Sequence, residues 1–176
     1  MVTAVSDDVD PLALERQVCF ALAVANRAVL SVYRPLLAPL GLTHPQYLVM
    51  LALWGNAKSS QEPLSVKQIA ALLQMDSATM SPMLKRLEAL GFITRSRSAL
   101  DERTMNVSLT AQGSRLRRKA LKIPPAVVER LGVDLGELEH LHEVLIRINA
   151  AAIGAGTISR SPSAPYWRRW RSRSCC

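Results

Sequence analysis

The 176-residue sequence has little cysteine, little acidic charge and no long apolar run, and each shortage removes a class of protein. Its cysteines, Cys19, Cys175 and Cys176, match neither a disulfide framework nor a zinc-ligand spacing. A cytoplasmic chain with one isolated thiol in its body is expected, with no metal and no cofactor. Unbroken apolar runs such as Tyr47 to Trp54 fall far short of the roughly 20 residues that span a bilayer, so no membrane partner is expected. The opening MVTAVSDDVDPLALER is acidic where a secretory signal is basic and then apolar, so no export signal is expected. Internal repeats are missing as well.

With 49% hydrophobic and 20% charged residues, the chain can bury a core of about one domain or one subunit of a small oligomer. Twenty-two Lys and Arg against 14 Asp and Glu leave +8, which invites nucleic acid or an anionic membrane without choosing between them. The excess is regional. Arg160, Arg168, Arg169, Arg171 and Arg173 occupy the last 17 positions, leaving +3 for the rest. Arg115, Arg117, Arg118, Lys119 and Lys122 form a second basic cluster, while Glu129 to Glu143 is acidic. Residues 1–10 read as a flexible N-terminus, 11–150 as the folded body and 151–176 as a basic, disordered tail. Arginines beside Tyr166, Trp167 and Trp170 also suit contact with phosphates or a membrane surface.

Asp10 before Pro11 opens a helix running to about Leu40. Apolar residues surround it (Leu14, Val18, Leu22, Val29, Val32, Leu36), so a second chain must cover part of it. Pro35 should bend or break it. Thr43-His44-Pro45 opens a helix to about Gly55, and 56–63 reads as a loop. Ser65 caps a helix over 66–73, Gln74-Met75 turns, and Asp76 caps a helix from Ser77 to about Leu90, ended by Gly91. Helix, short turn, helix is the DNA-binding helix-turn-helix. Strand-like stretches at 92–97 and 104–109 flank SALDE as a hairpin wing. Thr110 caps a basic helix to about Ile123, which Pro124-Pro125 interrupt. A last helix starts at Asp134, with Glu137 completing a capping-box-like pair and Leu135, Leu138, Leu141, Leu145 and Ile148 at helical spacing. The expected fold is mainly α with a small β-hairpin wing. Its DNA-binding part spans about 56–110, and its N- and C-terminal helices form a dimer.

The order of elements, with PMLKRLEALGFITR (82–95), DER (101–103) and LTAQG (109–113), resembles the MarR family of winged-helix transcriptional regulators. QVCFAL (17–22), VYRPLL (32–37) and LTHPQYLVMLALW (42–54) resemble its organic-hydroperoxide sensor branch, OhrR. The resemblance covers about 12–150. It implies a homodimeric repressor, not an enzyme, that leaves a pseudo-palindromic operator on double-stranded DNA when an organic hydroperoxide oxidises a thiol on the first helix.

By that resemblance Ser77, Thr79, Ser81 and Pro82 approach the major groove, and Lys85 and Arg86 reach bases or phosphates. Arg95, Arg97 and Arg103 belong to the wing, Arg103 entering the minor groove while Asp101 steers its guanidinium. A lone cysteine in an apolar helix is ordinarily a small core residue, but the motif makes Cys19 the peroxide sensor. With a helix starting at Pro11, Cys19 lies too deep for the helix dipole to help its thiolate. The branch uses tyrosine hydroxyls, and Tyr33 takes the matching place. Fourteen residues of helix span about 21 Å, so contact with Cys19 requires antiparallel first helices of two chains. Tyr33 as a plain interface aromatic is the alternative. His44 stands where the branch often has a second tyrosine, and Ala23 where some members have an aromatic. His44 can donate a hydrogen bond and, protonated, would favour thiolate. No cysteine lies between Cys19 and Cys175, so a low-molecular-weight thiol is expected to cap oxidised Cys19, ahead of delivery of Cys175 or Cys176 by the tail. Three other functions compete: a MarR-type repressor released by a small aromatic ligand, a thiol peroxidase, and a non-regulatory architectural DNA binder.

Overall fold

Residues 10, 12–59, 62–99 and 101–155 are described by a computed structural model. The expectations for the first nine residues and for the tail from 156 onward, Cys175 and Cys176 included, lie outside them.

Asp10 does start a turn, its carboxylate accepting from the Leu12 N–H at 2.9 Å. The long helix does not begin there. A single 3₁₀ turn, Leu14–Arg16, ends at Gln17 in extended conformation, and helix α1 starts afresh as Val18–Leu37. Pro35 sits inside α1, which ends two residues later and passes into a 3₁₀ turn, Ala38–Leu40. Gly41 then reverses the chain at φ +68°. Helix α2, His44–Ser59, extends past the expected Gly55 and takes up the start of the supposed loop. The Asn56 side chain donates to the Glu62 carbonyl at 2.8 Å and folds the connection back.

Strand β1, Leu64–Ser65, leads into helix α3, Val66–Leu73, through a capping box in which Ser65 and Gln68 satisfy each other's backbone N–H. Helix α4, Ser77–Ala89, is capped by Asp76 and buries Met80, Leu84 and Leu87 completely. Strands β2, Ile93–Arg97, and β3, Met105–Leu109, pair antiparallel with Arg97 opposite Met105 at the tip. The hairpin gains a third strand unseen in the sequence, since β1 pairs with β3.

Helix α5, Ala111–Ala120, is clamped to the end of α4. The Thr110 hydroxyl donates to the Gly91 carbonyl at 2.6 Å and accepts from the Gly113 N–H at 3.0 Å. A Cβ on Gly113 would collide with the Phe92 carbonyl, so this close approach needs glycine. The Trp54 indole completes the joint by donating to the Gly113 carbonyl at 2.9 Å. Pro124 and Pro125 do not merely interrupt α5. They occupy the first turn of a separate helix, α6, Ile123–Leu131, where proline's missing N–H costs nothing. Helix α7, Leu135–Gly154, is capped by Asp134, which accepts from the Gly136 N–H at 2.7 Å, and runs past the expected tail boundary at 151.

One core joins α2, α3, α4, the wing and α5, with Leu37 and Leu40 at one edge and Ile123 and Val127 of α6 at another. Helices α1 and α7 are the least covered: Leu37 is the sole buried residue of α1, whose C-terminal half packs on the core through Val32, Tyr33 and Leu36, and none is buried in α7.

Candidate DNA-binding surface and thiol site

The buried stripe of α4 turns the opposite side outward. Thr79, Ser81, Pro82, Lys85 and Arg86 are all exposed, with Ser81 and Lys85 in one row and Pro82 and Arg86 in the next. The side chain of Ser77 lies outside the described residues. Thr79 is more committed than the sequence suggested. Its hydroxyl donates to Asp76 at 2.9 Å and its N–H donates to the same carboxylate at 2.7 Å. Those bonds hold the Asp76 carboxyl below its usual range, the Thr79 N–H contributing most. Thr79 is therefore part of the helix cap, with only hydroxyl lone pairs left to face a groove.

Arg95, expected as a DNA contact, is paired within the chain. Its guanidinium and its backbone N–H both donate to Glu88, Nε at 2.9 Å and N at 3.1 Å. The pair ties the first wing strand to the recognition helix and lowers the Glu88 carboxyl, chiefly through the side-chain hydrogen bond. Asp101 also acts otherwise than expected. It accepts from the Arg103 backbone N–H at 3.0 Å and from the Thr104 hydroxyl at 2.7 Å, not from the Arg103 guanidinium. Its carboxyl is held low first by Thr104, then by Arg103, with the charge of Lys67 adding to both. Asp101 thus shapes the tip of the wing. Arg97 and Arg103 are exposed, and their side chains have no carboxylate partner among the described residues.

The thiol site is changed by the late start of α1. Cys19 is exposed and is the second residue of that helix, not one buried two turns inside it. The first turn of a helix presents N–H groups without intrahelical acceptors, and the dipole there favours an anion. The neighbouring apolar side chains are also uncovered, Val18 being 65% exposed.

Tyr33 and His44 are brought together, with ring centroids 4.9 Å apart and edge to face. Tyr47, which sequence reasoning left unassigned, joins them 6.2 Å from Tyr33 and 6.4 Å from Trp54. Its position three residues after His44, on the same side of α2, was the available signal. Burial pushes the Tyr33 hydroxyl up and Tyr47 up to about 12, the latter also through Tyr33, so both stay protonated at neutral pH. Burial pushes His44 down. Burial thus works against the cationic form that the sequence reading allowed for it. Within one chain, Cys19 and Tyr33 lie at opposite ends of α1. No group of three or more His, Cys, Asp or Glu among the described residues is placed to hold a metal ion.

Comparison with known proteins places this geometry. The family described as transcriptional regulator SarA/Rot matches residues 31–119. The organic hydroperoxide resistance transcriptional regulator of Bacillus subtilis (strain 168) is 43% identical over 133 residues, covering 74% of this chain and 87% of that protein. Among solved structures, reduced AbfR bound to DNA superposes with a TM-score of 0.63 at 29% identity, covering 80% of this chain and 94% of that one. AbfR comes from Staphylococcus epidermidis. Its disulfide form superposes with a TM-score of 0.54 at the same identity, over 81% and 91% of the two chains.

Proposed function

The chain belongs to the MarR family of winged-helix transcriptional regulators, in its organic-hydroperoxide branch, and we propose that it is a homodimeric repressor released from operator DNA by oxidation of Cys19. It regulates transcription and is not an enzyme. Its relatives' action on DNA supports a cytoplasmic location. The observation that carries the proposal is the exposed Cys19 in the first turn of a helix whose apolar flank is uncovered.

A second copy is what covers that flank. Val18, Phe20, Leu22 and Val24 on α1 and Leu141, Leu145 and Ile148 on α7 are exposed in the single chain, more apolar surface than an isolated regulator keeps in water. The stretch Val18–Leu40 is long and apolar enough to cross a bilayer, with mean hydropathy 1.2, although its unbroken runs are short. In a DNA-binding regulator such a helix serves as a subunit interface. Two α1 helices crossing antiparallel bring each Cys19 toward the partner's Tyr33, about 21 Å away along its own helix.

Chemistry at the sulfur then follows. The thiolate of Cys19 attacks the terminal oxygen of the hydroperoxide, the O–O bond breaks, and a sulfenic acid forms. The departing alkoxide leaves as an alcohol after taking a proton from a tyrosine hydroxyl. Tyr33 suits that transfer because burial keeps it protonated, and His44 packs edge to face against it. A low-molecular-weight thiol condenses with the sulfenic acid, expelling water and leaving a bulky mixed disulfide in the dimer seam. The shift of α1 that this forces re-spaces the two recognition helices, which must stand about one turn of DNA apart or a multiple of it.

Operator binding by wild type and Cys19→Ser, with and without tert-butyl hydroperoxide, tests the reading. The variant should bind operator like wild type and stay bound under peroxide. Release of the variant by peroxide removes Cys19 from the mechanism. A Cys19-dependent crosslinked dimer on a non-reducing gel would assign the capping thiol to Cys175 or Cys176.

A further inference from the structure

Tyr33 has to deliver a proton across a subunit seam, yet it sits only partly buried at the edge of the core, beside Val32 and Leu36. A tyrosine ring there has more than one staggered orientation open to it, and a proton donor displaced by about 1 Å loses much of its advantage. What holds the ring comes from α2. His44 meets it edge to face at 4.9 Å between centroids, and Tyr47 meets it tilted by 42° at 6.2 Å. The two supports stand three residues apart on one side of α2, and both separations are those that aromatic pairs favour.

The supports differ in stiffness. His44 opens α2 and is partly exposed. Tyr47 is 3% exposed, and Trp54, seven residues further along the same helix, packs edge to face against it at 6.4 Å. Trp54 is itself pinned, because its indole donates to the Gly113 carbonyl at 2.9 Å. Thr110 fastens that start of α5 to the end of α4. Tyr47 therefore passes the rigidity of the closed core to a ring at its edge. It is too deeply buried to meet the thiol or a hydroperoxide itself.

We propose that Tyr47 is a positioning residue for the peroxide step: its ring, backed by Trp54, holds Tyr33 in the orientation from which the Tyr33 hydroxyl protonates the departing alkoxide. The inference rests on Tyr33 being that proton donor. The ring of Tyr47 supplies the support, so phenylalanine can replace it and an aliphatic side chain cannot.

The rate at which Cys19 forms sulfenic acid with tert-butyl hydroperoxide tests the proposal, followed by dimedone trapping and mass spectrometry of the Cys19 peptide. Tyr47→Leu should slow this step by about tenfold. The same variant should react with iodoacetamide at the wild-type rate, because iodide departs without a proton, and should bind operator like wild type when reduced. Tyr47→Phe should oxidise as fast as wild type. In a Tyr33→Phe background, Tyr47→Leu should add no further slowing. Tyr47→Met carries the same measurements if the leucine variant fails to bind operator. An unchanged peroxide rate in Tyr47→Leu, equal slowing with iodoacetamide, a Tyr47→Phe as slow as Tyr47→Leu, or additive slowing with Tyr33→Phe would each overturn the assignment. Tyr33→Phe oxidising as fast as wild type would remove Tyr33 as the donor and the positioning role with it. A slow Tyr33→Phe beside a fast Tyr47→Leu removes the positioning role alone.

Discussion

Around the helix-turn-helix, Val49, Met50, Ile69, Met80, Leu84 and Leu87 lose all contact with solvent, whereas along α7 no residue is buried at all. Both regions are rich in leucine, and both are helical. The first closes on itself because α2, α3, α4 and the wing bring their apolar faces to one centre. The second presents a single stripe with nothing opposite it. The contrast teaches that a regulator of this design is folded in one half and only half-assembled in the other. In the proposed dimer, a stimulus acting between subunits then moves whole DNA-binding units without melting them.

The hardest test of that contrast is to prevent assembly. The double variant Leu141→Lys, Leu145→Lys should sediment as a monomer and lose operator affinity by on the order of 10²–10⁴-fold, since two linked half-site contacts become one. A dimer that persists would remove α7 from the interface.

Truncation in each half sharpens the same point. Leu84→Ala, in the closed core, should cost about 3 kcal/mol in urea unfolding, by the same amount at every protein concentration. Leu141→Ala should cost less, and its effect should fade as protein concentration rises.

Next in size are the two wing arginines. Arg103→Ala should weaken operator binding and reduce the salt slope by about one per chain bound, because its guanidinium has no carboxylate partner among the described residues. Arg95→Ala should leave that slope nearly unchanged and instead loosen the wing, seen as faster amide exchange at Arg97 and Met105. Equal salt slopes for the two variants would cancel the distinction between them.

The smallest effect is titration at the aromatic cluster. Burial lowers His44 from its ordinary 6.5, so the unfolded chain takes up this proton more readily than the folded one. Its contribution to stability is complete above about pH 6.5 and declines as pH falls toward the folded value. The lowered carboxylates Asp76, Glu88 and Asp101 lose theirs as pH falls below their ordinary values of 3.8 and 4.5. His44→Gln should flatten the dependence of the urea midpoint between about pH 7 and 5.

Much of this architecture was legible as local pattern. Ser65 with Gln68, Asp76 with Thr79 and Thr110 with Gly113 are caps written three residues apart, and all three form. The helix expected from Ser77 to about Leu90 forms as Ser77–Ala89, and the strand-like stretches at 92–97 and 104–109 form as Ile93–Arg97 and Met105–Leu109. Other features depended on what the segment meets. The two-residue strand β1 has no periodicity of its own and exists because β3 offers it an edge. Glu88 and Arg95 meet only because Gly91 turns the chain between them. The break at Gln17 carries no Gly or Pro, yet it decides whether Cys19 opens a helix or lies within one.

Spacing of apolar residues, caps and turn residues within a few positions was enough to set the helix-turn-helix and the wing, since those signals act through neighbours along the chain, whereas the family came from the resemblance of whole motifs. Which cations stay free, which carboxylates organise turns, and which apolar faces remain uncovered depend on groups far apart in sequence. Burial and pairing of that kind arise once the chain has closed, and they separate Arg103 from Arg95 and leave the Cys19 flank open for a partner.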